Sequence, residues 1–475
     1  MGVIKALVKL SELSSSSNLR LCFSKEAPKT SRRLVKLLDS LSLFEAGGRP
    51  KGGIVYIEDE EVAISLGGEQ IGKDGRIDLK NMPLVPLDYY NSTDKGKVNQ
   101  NDILVCKDGA LTGKCCFVKF NFPIKEVMIN EHVYIVRSDE TYLQKFLFYI
   151  LRDEYTQFQI KDLAYRKKGQ PGLNIDHLSL IKIPYFGIPE QQDILSKIEN
   201  IENEIDNLIN SKADTTKIIN QVFGEVFGFD WEEFENIKKV KSYTSSISKF
   251  ANNIDCRMGI RFHNKAGAYI QYFLESKTNK RIKDFISELI VLGKSVSPSD
   301  YDEDGEYFYI AMSNIKSWAF DPEDCKKVSE SYAASNLNKT VKKGDILLAR
   351  SGEGTIGKVA LIEDEEIDGI FSDFTQRIRL IGFDSWCAYY YMRSDFFQYL
   401  VYTHKKGLGN NTNIFPSQIK EFPIPDWDET KQAEIVEKIK SQLDKQKVID
   451  RHIEEKQQAI NKIIEGAVKT KRANA

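Results

Sequence analysis

A chain of 475 residues is too long for one ordinary core and predicts about two to four domains. With 41% hydrophobic and 29% charged residues it has the composition of a soluble globular protein, and no run reaches the roughly 18 apolar residues that a membrane span needs. The net charge of −2 neither demands nor excludes nucleic acid, because basic side chains can gather on one face with acidic ones elsewhere.

Along the chain, MGVIKALVKLSELSSSS lacks the apolar core and small-residue cleavage site of a signal peptide, and residues 1–30 read as a capping segment. From about Arg32 to Phe186 short strand patterns alternate with turns. ILVC, FVKF and HVYIVR read as strands, and YLQKFLFYILRDEYTQFQI as a helix. Glycine-rich loops, EAGGRPKGG, LGGEQIGKDG and KKGQPG, separate them. After Pro189, which suits a first helical turn, apolar residues recur at Ile194, Ile198, Ile201, Ile205 and Leu208. The same spacing continues through Lys212 and Thr215 to Ile219 and Val222. This heptad pattern predicts a long helix. From about Lys280 to Pro425 the mixed pattern returns: YFYIAM, DILLAR, KVALI and QRIRLI read as strands, WCAYYYMRSDFFQYLV as a helix. A second seam runs through Ile435, Ile439, Gln442, Gln446, Ile449, Ile453, Lys456, Ile460 and Ile463. The expected organisation is therefore an α+β domain over 1–187, a spacer helix over 188–227, a second α+β domain over 228–425, a second helix over 426–470 and a tail over 471–475.

The two halves are copies. VNQNDILVCKDGALTGKCCFV from Val98 resembles VKKGDILLARSGEGTIGKVALI from Val341, pairing Asp102 with Asp345 and Gly109 with Gly352. Lys167-Lys168-Gly169 and Asn174-Ile175 match Lys405-Lys406-Gly407 and Asn413-Ile414. IKIP from Ile181 matches IKEFP from Ile419, and Gln191 and Ile194 match Gln432 and Ile435. Four blocks in one order at an offset of about 240 residues mean a duplicated domain-plus-helix unit. Such duplication suggests a pseudo-twofold object of the kind that reads two related half-sites. A narrow apolar stripe on each helix suits a partner helix, and an antiparallel pair of roughly 35 residues would be a rod on the order of 50 Å.

Two glycine-rich stretches imitate enzyme motifs without the context those motifs need. Gly352 to Gly357 fits G-x-G-x-x-G, and the stretch to Lys358 nearly fits a phosphate-binding loop, but Val359 stands where Ser or Thr should be and KVALI continues as strand pattern rather than opening a helix. Gly67 to Lys73 imitates the same loop and fails at Asp74. No H-E-x-x-H, metal-spaced cluster or [DN]-P-P-[YF] tetrapeptide is present. The seven cysteines, with Cys115 and Cys116 adjacent and no C-x-x-C, read as free thiols of a reducing cytoplasm, and five histidines argue against a histidine-rich metal site. Neither catalysis nor a bound cofactor is expected of this chain.

Loops carrying Arg, Lys and Asn beside glycine are the candidate grips on DNA, since Arg and Asn can read base edges and Lys can position phosphates. They are Arg49, Lys51, Lys73, Arg166, Lys167, Lys168 and Asn174 in the first half. In the second they are Lys294, Lys316, Lys405, Lys406, Asn410, Asn411 and Asn413.

The DIL…G…GK stretches, the KKG…N-I loops, and the IKIPYFGIPEQQDIL and IKEFPIPDWDETKQAEIV junctions into long helices resemble the specificity (S) subunits of Type I restriction-modification enzymes, over roughly Arg32 to Glu465. The match is looser where Asp426-Trp427-Asp428 replaces the usual apolar run. The resemblance implies two target recognition domains, each reading one part of a split DNA sequence. It implies two helices that pair as an antiparallel coiled coil, set the unread gap and carry the methyltransferase subunits. It also implies double-stranded DNA, two modification subunits and restriction subunits as partners. S-adenosylmethionine, ATP and magnesium would belong to those subunits, the site would be cytoplasmic, and no membrane would be involved. The rivals are a coiled-coil adaptor whose globular halves bind protein, and a nucleotide-dependent enzyme built on Gly352 to Lys358.

Overall fold

The computed structural model describes residues 27–51, 61–78, 82–119, 122, 125–165, 171–240, 242–244, 246–248, 257–316, 318–352, 354–364, 367–408 and 411–469. The chain divides into two compact units, residues 1–211 with 449–475, and residues 212–448.

In the first unit the strands are β1 (Leu34–Lys36), β2 (Leu41–Ala46), β3 (Val62–Leu66), β4 (Leu84–Pro86), β5 (Ile103–Cys106), β6 (Cys115–Phe117), β7 (Val127–Ile129), β8 (Val133–Ser138) and β9 (Lys182–Pro184). The helices are α1 (Leu87–Ser92), α2 (Gln144–Arg152), α3 (Glu154–Ala164), α4 (Ile175–Leu180) and α5 (Ile188–Ser211). A four-stranded antiparallel sheet has the order β2-β8-β5-β6, a three-stranded sheet the order β4-β3-β7 with β3 and β7 parallel, and β1 pairs with β9. The strands ILVC and HVYIVR are buried almost throughout because α2 and α3 cover one face and the small sheet the other. The sequence reads α2 and α3 as one helix; they are two. Asp153 stays extended between them and its side chain accepts from Tyr155 N at 2.9 Å, an N-cap that restarts the helix.

The second unit repeats this plan. Its helices up to the second sheet are α6 (Thr215–Phe227), α7 (Trp231–Lys238) and α8 (Lys265–Lys277). Strands β10 (Val291–Leu292), β11 (Tyr307–Ile310), β12 (Ile315–Lys316), β13 (Ala319–Phe320), β14 (Lys326–Val328), β15 (Ile346–Ala349), β16 (Val359–Leu361), β17 (Gly369–Phe371) and β18 (Thr375–Ile378) follow, with α9 (Glu330–Ser335) between β14 and β15. Then come α10 (Ser385–Arg393), α11 (Asp395–His404), α12 (Pro416–Ile419) and α13 (Glu429–Lys469). The sheets run β10-β18-β15-β16 and β14-β11-β17, again with the first strand of the small sheet parallel to its last. The order within these two sheets matches the first unit strand for strand, while β12 and β13 form a separate two-stranded pair. Ser394 breaks the helix between α10 and α11 as Asp153 does earlier. Phe227, Phe229, Trp231 and Phe396 pack beneath with edge-to-face contacts, and Phe223 stacks on Phe227.

Two internal ties are duplicated side chain for side chain. Asp102 is buried and receives Arg137 through Nε at 2.6 Å and Nη2 at 2.9 Å; Asp345 receives Arg379 at 2.6 and 2.7 Å. Gln191 accepts from Leu143 N at 2.8 Å and donates to Thr141 O and Phe186 O, while Gln432 accepts from Asp384 N at 2.6 Å and donates to Trp427 O. These glutamines fasten the start of each long helix to its own globular layer.

The first long helix is not continuous over 188–227. Residues 212–214 lie outside helix, and Asp214 caps α6 by accepting from Thr216 N and Lys217 N. The apolar seam predicted through Lys212 is therefore interrupted where a charged side chain would have sat in it. The second runs unbroken over Glu429–Lys469, its residues up to Val448 belonging to the second unit and the rest to the first. In the first unit Arg32 binds Glu190 near the start of α5 and, through Nε at 2.6 Å, the Ala467 carbonyl near the end of α13, while Glu204 meets Lys456. In the second unit Ala213 N reaches Gln446 Oε1 at 2.8 Å and Glu225 meets Lys438. Within each unit the numbers rise on one strand of helix as they fall on the other, so the local pairing is antiparallel. Ile194, Ile198, Ile205 and Ile460 are buried in the first unit, and Ile435 and Ile439 in the second. Ile201, Leu208, Ile449 and Ile453 are half-buried. Helix α5 is also pinned by charge: Lys119 and Arg76 both hold Asp206, and Glu202 takes Lys145 and the Tyr149 hydroxyl.

Candidate nucleic-acid interface

In the first unit β2, β3 and β5 all end, and β8 begins, along one rim. Lys107, directly after β5, donates its N–H to His132 O at 2.8 Å and accepts from Leu173 N at 2.8 Å. Gly109 N donates to Pro171 O, Asn130 N to Leu66 O, and Gly47 N to Val133 O. Five turns are thus laced together by backbone bonds. Gly47 is required there, because a Cβ would lie 1.9 Å from the Ile129 carbonyl oxygen. The side chains on the rim form a polar chain. Lys107 Nζ donates to Glu131 O at 3.2 Å, Asp108 Oδ1 lies 2.8 Å from His132 Nδ1, and Arg49 Nε lies 2.9 Å from Glu131 Oε1. Lys51, two residues after Arg49, is exposed.

The second unit builds the same rim on the same bonds. Arg350, directly after β15, donates its N–H to Phe374 O at 2.9 Å and accepts from Ile414 N at 2.9 Å. Gly352 N donates to Thr412 O, Ser372 N to Ile310 O, and Gly293 N to Thr375 O. A Cβ on Gly293 would lie 1.9 Å from Phe371 O. Arg350 Nε donates to Asp373 O at 2.7 Å, repeating the cation-to-turn bond of Lys107. The backbone frame is common; the side chains differ. Asp108, Glu131 and His132 of one rim become Ser351, Asp373 and an exposed Phe374 in the other.

The predicted grips fall unevenly on this frame. Arg49, Lys51 and Lys294 belong to the rims; Lys294 N is held by Phe371 O while its side chain is exposed. Burial, together with the Arg377 and Lys294 charges, holds the neighbouring Lys339 ammonium below its ordinary value. Lys73 is exposed in the turn after β3, where its carbonyl accepts from Arg152. Lys316 closes β12. Arg166, Lys167, Lys168 and Asn410 lie outside the described residues. Asn411 is exposed, and Asn413 and Lys406 exchange backbone bonds at 2.7 Å.

One candidate grip is ruled out by burial. Lys405 is 4% exposed, its ammonium over the Tyr402 ring, and it follows α11 as Ala164 ends α3; a side chain so enclosed cannot clamp a phosphate. Asn174 caps α4, its Oδ1 accepting from His177 N at 2.8 Å. The Asn174-Ile175 and Asn413-Ile414 pairing is out of register by one residue. Leu173 and Ile414 make the equivalent bonds to Lys107 and Arg350, so Asn174 corresponds to Phe415, not Asn413, and a buried apolar position was matched to an exposed one. Lys107, Asp108, His132, Arg350, Ser351 and Phe374 were missed, although the first residues after DILVC and DILLAR follow the best-matched block of the repeat.

The nucleotide-loop motif closes a turn. Gly352 and Gly357 have φ of 83° and 87°, and Lys358 leads into β16, which pairs antiparallel with β15. No helix opens there to meet a pyrophosphate. Among the described residues no group of three potential metal ligands occurs, and the five described cysteines are free. No helix among them is long and apolar enough to cross a membrane.

The chain thus consists of twin α+β domains, each with a laced rim of turns and followed by a long helix. The family described as Type I restriction modification DNA specificity domain matches residues 69–215 and 275–463, and this chain belongs to it. Its role is that of the specificity subunit, which gives such a system its DNA sequence preference. No curated protein matches the sequence. The structure resembles a chain solved in work on "complex assembly and conformational transition of the type I R-M system" (13% identity, 94% of this chain and 97% of that chain, TM-score 0.42). It also resembles the S subunit of a Type-I restriction-modification system from M. genitalium (12%, 94% and 98%, TM-score 0.38). A third likeness is to the HsdS subunit from Thermoanaerobacter tengcongensis (13%, 92% and 96%, TM-score 0.32).

Proposed function

We propose that each globular domain reads one half of a split DNA target with its rim, and that the paired long helices separate the halves and carry two methyltransferase subunits together with restriction subunits. The chain itself performs no chemistry; S-adenosylmethionine, ATP and magnesium serve the partner subunits, and the complex works in the cytoplasm. The observation that carries this reading is the rim built twice on one set of backbone bonds with different side chains. A shared frame gives both domains the same approach to a duplex, and divergent side chains let them prefer different bases. Arg49, Lys51 and Lys294 would position phosphates or base edges there.

The test is charge reversal on one rim. The double substitution Arg49→Glu and Lys51→Glu, in the full chain assembled with its methyltransferase subunits, is expected to weaken DNA binding. It should also lower the slope of log affinity against log salt by about one for each phosphate that is no longer neutralised. Unchanged affinity and slope would place the DNA elsewhere.

A further inference from the structure

We infer that the side-chain pair borne by two fixed positions of the rim decides which base each domain prefers: Asp108 with His132 in the first, Ser351 with Phe374 in the second. This rests on the reading that the rims face DNA.

The equivalence is set by the backbone. His132 O and Phe374 O accept from the residue after β5 and β15 respectively, and Asp108 and Ser351 bridge to Gly172 and Asn413. A side chain at either position therefore starts from the same place in both domains, and what differs is chemistry alone. In the first rim Asp108 Oδ1 and His132 Nδ1 are 2.8 Å apart, and His132 Nε2 lies 3.3 Å from Glu131 Oε1. The imidazole is held between two carboxylates and keeps the Asp108 carboxylate oriented. Its side chain is still 43% exposed and that of Asp108 27%. An oriented, accessible carboxylate is an acceptor only, and it suits a base that offers an exocyclic amino group in the major groove, cytosine above all. It rejects a carbonyl edge.

Ser351 and Phe374, at the two equivalent positions of the second rim, are not ionisable. Phe374 is 49% exposed, far more than a phenyl ring needs for packing, and Ser351 is half-buried beside it. An outward ring suits the 5-methyl group of thymine. Arg350, whose guanidinium lies 5.9 Å from the Phe415 ring and donates to Asp373 O, stiffens the turn that presents Phe374. One frame thus carries an amino-group acceptor in one domain and a methyl-contacting ring in the other.

The experiment grafts each pair onto the other rim, D108S with H132F in one protein and S351D with F374H in another. Each full chain is assembled with its methyltransferase subunits and offered a randomised double-stranded DNA library. Bound sequences are read, and melting temperatures are recorded. Each graft is expected to lower preference for the original base roughly 5- to 150-fold at one position of one half-site. The other half-site and the gap should stay unchanged. If both grafts keep the parental preferences while the Arg49→Glu, Lys51→Glu protein binds DNA weakly, the rim reads DNA but this pair does not select the base. If all three variants behave as the parent, the rim reading itself fails. A graft that melts normally yet loses binding to every sequence would make the pair a source of affinity rather than selectivity and overturn the inference. Should one graft fail to fold, the other, in a separate unit, decides alone.

Discussion

Replacing Asp102 and Asp345 separately by Asn should destabilise the two units unequally, although the aspartates occupy equivalent sites. Both are buried, both take a bidentate arginine, and each accepts a further backbone N–H at 2.7 Å, from Asn99 and Lys342. Removing one partner of a buried pair costs about 3–5 kcal/mol because the other charge is stranded. Arg137 keeps 32% of its side-chain surface, so water recovers part of this and about 2–3 kcal/mol remains for Asp102→Asn. Arg379 has a second carboxylate: Glu288 bridges it to Arg377, whose Nη2 lies 2.9 Å from Glu288 Oε2. Glu288 is shared with Arg377, so it offsets the stranded charge only in part, and Asp345→Asn should cost about 1–2 kcal/mol. Denaturant unfolding of the full chain, with hydrogen exchange followed separately in residues 27–211 and 212–448, measures both. The first variant should loosen the first unit by the larger amount. Equal losses, or a larger loss for Asp345→Asn, would refute the claim that Glu288 acts as a second counter-ion.

Gly47→Ala and Gly293→Ala should each disrupt their own rim, since the new methyl would meet a carbonyl oxygen at 1.9 Å. A drop of about 2 kcal/mol or more, seen as lowered melting and weakened DNA binding, is expected, whereas Gly466→Ala, inside α13 with open space around it, should not destabilise and should raise stability by up to about 1 kcal/mol. The Asp206 clamp on α5 should be sensitive to salt and acid. Burial opposes its charge, but hydrogen bonds from Lys119 and Arg76 outweigh this and hold the carboxyl below the usual aspartate range. A depressed carboxyl contributes stability above its unfolded value that is lost as pH falls through its folded one. Melting of the parent should therefore fall more steeply below about pH 4 than that of Asp206→Asn, and added salt should narrow the difference between the two. Parallel pH profiles would show that the clamp contributes nothing.

Much of this protein was legible in its residues. Heptad spacing, the DIL…G…GK blocks and the Gln191 and Gln432 junctions determined two copies of an α+β domain followed by a helix, because period and order survive without knowledge of contacts. The β continuation KVALI also exposed the false nucleotide loop. Other features depended on partners distant in sequence. Whether Lys405 is a grip or an enclosed residue turns on what lies over it, and short basic motifs recur by chance. The Asn-Ile match slipped by one residue because a dipeptide carries little register information, whereas backbone bonds to Lys107 and Arg350 fix it. The heptad seam could not reveal the break at 212–214, since Asp214 acts as a cap only once Thr216 and Lys217 turn their N–H groups toward it. The rims were invisible for the same reason: Arg49, Asp108, His132 and Pro171 are scattered along the chain, and only the ladders between strands bring their turns to one edge. Local pattern is written in neighbouring residues, but a binding edge is assembled from carbonyls and amides that meet after the sheets have formed.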